Sequence, residues 1–96
     1  MLIRLQFDMH YDIIDVPESL MDMYNKNRVS FYDSFYEWLE RNKNKYCHNG
    51  IYIFAGEAVL DWLNNTLLKD SEQKVTMVIE DKYYDPDDMG LDMINF

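Results

Sequence analysis

Apolar and polar residues alternate from Met1 to Met9, with Ile3, Leu5, Phe7 and Met9 on one side and Arg4, Gln6 and Asp8 on the other. A period of two belongs to a strand with one buried face, so this stretch predicts the first strand. Ile13, Ile14 and Val16, set among Asp12 and Asp15, fit a turn and a short second strand. Pro17 suits the first turn of a helix, whose N–H groups have no partner in any case, and Asp15 with Glu18 reads as a capping box. The helix expected from Pro17 to Asn25 buries Leu20, Met23 and Tyr24, and the polar run Asn25-Lys26-Asn27-Arg28 separates it from the next element.

The strongest helical signal in the chain lies between Asn27 and Asn44. Phe31, Phe35, Trp38 and Leu39 fall within a stripe about 100° wide, the width of a buried helix face, and Asp33, Glu37 and Glu40 fall opposite. Ser30 is placed as the N-cap with Asp33 three residues on, and Arg41, Lys43 and Lys45 crowd the C-terminal end, where the helix dipole favours cations.

Tyr46-Cys47-His48-Asn49-Gly50 reads as a polar turn, Ile51 to Phe54 as a short strand, and Ala55-Gly56 as a break. From Glu57 to Leu68 the helical period returns, with Val59, Leu60, Trp62, Leu63, Thr66 and Leu67 on one broad face. Lys74 to Glu80 is a further strand, apolar on both faces, which predicts a place inside the sheet. If it neighbours the strand at Ile51, the helix between them makes a right-handed crossover. Pro86 and Gly90 flank a turn in the acidic segment 81–96, whose Leu91, Ile94 and Phe96 either dock on the body or await a partner. The order predicts an α+β fold, a three- or four-stranded sheet with two main helices and one short helix packed on one face, in a single domain spanning residues 1–96.

Composition supports one self-sufficient core: 96 residues, 48% apolar, with a single cysteine and so no internal disulfide. The chain opens without a secretory pattern and holds no apolar run near the roughly 20 residues that cross a bilayer, so a cytosolic protein off the membrane is expected. Eighteen acidic against nine basic residues give a net charge of −9. That field disfavours direct binding of nucleic acid or anionic lipid and steers the protein toward basic partners. The acids concentrate at Asp8–Asp22 and Glu80–Asp92, with a basic centre at Arg41–Lys45.

No stretch carries an enzymatic signature, and neither a metal nor a cofactor is expected. His10, Asp12 and Cys47-His48 are metal-capable, but no spaced four-ligand pattern occurs. Asp85, Asp87, Met89 and Gly90 imitate part of a calcium loop, yet the fifth position is Met and the twelfth is Phe96 where a bidentate Glu belongs. Cys47 beside His48 does not place a nucleophile against a base, and the mid-helix sequon Asn64-Asn65-Thr66 carries no meaning in such a chain.

The surface remains. Carboxylates at Asp33, Glu37 and Glu40 recur roughly every 5 to 6 Å along the helix axis, a spacing similar to that of strand phosphates. Tyr36, Tyr83 and Tyr84 add aromatic anchors, and Asp85, Asp87 and Asp88 a second acidic patch, so these nine residues form the expected partner-binding set. The leading expectation is an acidic inhibitor of a basic, nucleic-acid-binding enzyme. In size and composition the chain is similar to phage-encoded anti-defence proteins, the anti-CRISPR, anti-restriction and uracil-glycosylase inhibitors. The helix-then-strand run from Gly56 to Ile79 resembles the closing elements of barstar-type ribonuclease inhibitors, which implies an immunity or antitoxin role against a toxin nuclease. A structural domain that forms a homodimer through exposed aromatic residues is the third alternative.

Overall fold

The computed structural model describes residues 1–96, and its first alternating stretch is a hairpin whose strands are β1 (Leu2–Gln6) and β2 (Tyr11–Asp15). The first strand is shorter than the alternation suggests. Phe7 N–H donates to His10 O at 2.9 Å and closes the turn, so Met9 sits at its tip, 79% exposed, while Ile3, Leu5 and Phe7 enter the core.

Helix α1 (Glu18–Lys26) begins after Pro17, which takes the N-cap position in extended conformation. The capping box does not form, because Asp15 accepts from the Met1 ammonium at 3.0 Å and no side chain caps α1. The buried residues are Leu20, Met21 and Tyr24; Met23, expected inside, is 42% exposed, since the buried stripe runs one position away from it. Asn27 alone separates α1 from α2 (Arg28–Arg41). It is also the cap: its carboxamide oxygen accepts from Ser30 N–H at 3.0 Å, which moves the cap three residues upstream of Ser30. The inner face of α2 is Phe31, Phe35, Trp38 and Leu39, as the period requires. A single turn, α3 (Lys43–Tyr46), follows.

Two strands are placed differently from their sequence reading. Cys47–His48 (β3) and Ile51–Tyr52 (β4) pair only with each other, around Asn49 and Gly50, both at positive φ (53° and 80°). Such a two-residue Asn-Gly loop favours a small hairpin. The stretch at Ile51 is therefore no neighbour of the strand near Val75, and no crossover unit exists. Helix α4 (Gly56–Asn65) leads to β5 (Thr76–Lys82), which pairs antiparallel with β2 at the edge of the main sheet, not inside it. Val75 is buried, whereas Val78 and Ile79 on this edge strand remain 49% and 44% exposed.

The chain then crosses the sheet face away from the helices through a 3-10 turn at Pro86–Asp88 and ends in β6 (Met93–Asn95), parallel to β1. The strand order is β5-β2-β1-β6, so the acidic segment completes the sheet instead of trailing from it. Between helices and sheet lies one core of 19 buried residues, dominated by aromatic contacts such as Phe31–Trp62 at 4.9 Å and Phe35–Phe96 at 5.1 Å. The architecture is α+β. No helix is long and apolar enough to cross a membrane.

Candidate functional site

Burying four aromatic and aliphatic side chains of α2 fixes what its other face can present. Asp33, Tyr36, Glu37, Glu40 and Arg41 line one open hollow of about 490 Å³ on that outer face. Asp33 and Glu37 make no ion pair, so their charge is free for a partner. Glu40 is tethered. It accepts from the Tyr52 hydroxyl and lies 4.0 Å from Lys43 Nζ, and its carboxylate holds the Tyr52 hydroxyl proton up to a pKa of about 12. This bond ties the β3–β4 hairpin to α2. On the hairpin, Ile51 and Ile53 are 65% and 63% exposed beside the acidic helix, and Tyr36 is 49% exposed. The sequence predicts Ile51 and Ile53 in a strand of the sheet, whereas the Asn49-Gly50 loop sets Ile51 in a separate hairpin.

The second group of expected contact residues lies on the far side of the sheet. Tyr83 and Tyr84 are 69% and 77% exposed and Asp87 is exposed. Asp85 and Asp88 instead turn inward onto Lys82, at 3.1 and 2.5 Å, and Asp88 also accepts from the Tyr11 hydroxyl at 2.7 Å. Asp85 is held below the usual carboxylate range by the Asp87 N–H and then by Lys82, and Asp88 by Lys82 and then the Tyr11 hydroxyl. Those two carboxylates fasten the crossing segment, and the sheet divides them from the α2 row. The nine residues therefore form two surfaces.

A larger hollow of about 600 Å³ between Asp15, Glu18 and Lys74 gathers no set of groups suited to catalysis. Cys47 and His48 lie in the hairpin and join no cluster of metal-capable side chains. His10 and Asp12, in contrast, are brought together with Asp81, a residue the sequence reading did not connect with them. Comparison with protein-family models, curated proteins and solved structures gives no match for this chain.

Proposed function

We propose that this protein is a small acidic binding protein that inhibits a basic, nucleic-acid-handling partner in the cytoplasm, with the outer face of α2 as its contact surface. The observation that carries the reading is the row of Asp33, Glu37 and Glu40 around one open hollow, on a helix whose other side is locked in an aromatic core. A row held in this way meets a partner without first being ordered, which lowers the entropic cost of association. Tyr36 within the row and the exposed Ile51 and Ile53 beside it supply apolar area for the contact. Such a surface suits a groove that normally receives a phosphate backbone. An immunity protein that plugs a toxin nuclease would use the same surface and differ only in the partner.

The test is capture from host lysate at low salt, elution along a salt gradient, and repetition with the charge-reversed variant D33K/E37K/E40K. A basic nucleic-acid enzyme released at moderate salt by the wild type, and not retained by a variant with unchanged circular dichroism, is the expected result. Equal retention by the variant removes α2 from the contact surface. The unpaired edge of β5, with Val78 and Ile79 exposed, favours one other reading, a homodimer; sedimentation at increasing concentration distinguishes it.

A further inference from the structure

We propose that His10, Asp12 and Asp81 form a binding site for a divalent first-row transition ion of the zinc type. Each residue offers one ligand atom, and the three atoms lie within 4.8 Å of one another. They come from three separate places: the end of the β1–β2 turn, the inner strand β2, and the edge strand β5. Asp12 is the anchor. It is only 3% exposed, its Oδ1 accepts from Asp81 N–H at 2.9 Å, and its Oδ2 takes no hydrogen bond. A charged carboxylate on so enclosed a residue is favoured by a cation beside it. This oxygen lies against Gly56, in the space a Cβ there would take, so only glycine at that position admits the carboxylate. The carboxylate lines an adjoining hollow of about 230 Å³ together with Ala55, Gly56, Met77 and Asp81.

The other two ligands are poised but not engaged. The His10 ring makes no hydrogen bond; it stacks on Phe7 with centroids 5.3 Å apart, and its Nε2 stands 3.7 Å from Asp81 Oδ1. Asp81 has a positive φ of 54° at an irregular stretch of the β2–β5 pairing, and its side chain is 75% exposed. Zinc–ligand bonds of about 2.0–2.1 Å ask for donors roughly 3.4 Å apart. The partly exposed imidazole and the exposed Asp81 carboxylate therefore need to close by at most about 1.4 Å around a fixed Asp12. One imidazole with two carboxylates suits zinc, manganese or iron better than magnesium, which prefers an all-oxygen octahedron. Three protein ligands also leave a coordination position open to water.

The experiment is calorimetric titration of the protein with zinc chloride at neutral pH, alongside thermal melts with and without zinc. The variant H10Q/D81N alters only side chains that are at least partly exposed, and Asn is tolerated at positive φ, so the fold is retained and circular dichroism verifies it. The expected result is one zinc per chain, a rise in melting temperature, at least a tenfold loss of affinity in H10Q/D81N, and full binding in C47S/H48Q. Absence of zinc binding at millimolar concentration overturns the proposal. So does binding that survives in H10Q/D81N or disappears in C47S/H48Q.

Discussion

Gly56 opens α4 where most helices would accept almost any residue, yet here the side-chain space is already taken. A Cβ on Gly56 would stand 2.0 Å from Asp12 Oδ2 and 2.9 Å from Met77 Cε. Replacing Gly by Ala inside a helix ordinarily stabilises by about 1 kcal/mol. In this protein the sign is reversed: G56A is expected to cost about 1–3 kcal/mol in urea denaturation, the range of an overpacked core. An unchanged or raised midpoint would contradict the close approach. In a D12A background the penalty shrinks, because only the flexible end of Met77 is left to move. The charge of Asp12 also explains how α4 starts without a cap: Ala55 provides no side-chain acceptor, and a carboxylate lies at the positive end of the helix dipole. Neither role is legible in the chain. Asp12 reads as a metal-capable acid near His10 and Gly56 as a breaker, and no local pattern pairs residue 12 with residue 56.

At the scale of elements, what was legible is whatever depends on neighbours within a few turns or strand residues. The inner stripe of α2 and the first strand of the first hairpin follow from periodicity alone. The rank of each strand in the sheet does not, since β5 and an inner strand can share the same two-faced apolar pattern. Of the candidate site, the α2 row was legible for the same periodic reason, whereas Asp85 and Asp88 were misleading because the nearby Lys82, three and six residues upstream, and the Tyr11 hydroxyl draw them inward from the surface. That ion-pair knot has a pH signature. Asp85 and Asp88 are depressed below the unfolded carboxylate value of about 3.9, so their contribution to holding the crossing segment is complete above that value and is lost as pH falls through their lower folded values. Lys82 is raised, chiefly by Asp88 and then Asp85, so its contribution is complete below about 10.4 and is lost as pH rises beyond it. Amide shifts of Met93 and Ile94 followed by NMR are therefore expected to stay constant through the neutral range and to move only in strong acid or strong alkali. Movement near neutral pH, where neither group titrates, would count against the knot. K82M is expected to loosen the segment at neutral pH.

Across the whole molecule, eighteen acids face nine bases, and the bases are partly consumed locally by Glu40, Asp61, Asp85 and Asp88. The remaining negative charge repels itself in the folded state, and salt screens that repulsion over a Debye length of about 8 Å at physiological ionic strength. The melting temperature is expected to rise from low salt toward physiological salt. A fall would mean that the few ion pairs outweigh the net field. The sheet topology has a consequence of another kind. β1 lies between β2 and β6, with Arg4 opposite Met93. β1 is translated well before β6 and thus keeps one open flank until Met93–Asn95 have been made. Ile94, fully enclosed in the core, cannot help the nascent chain fold while it is still in the exit tunnel. A premature stop codon anywhere before Met93 therefore leaves a product whose β1 never acquires its second neighbour.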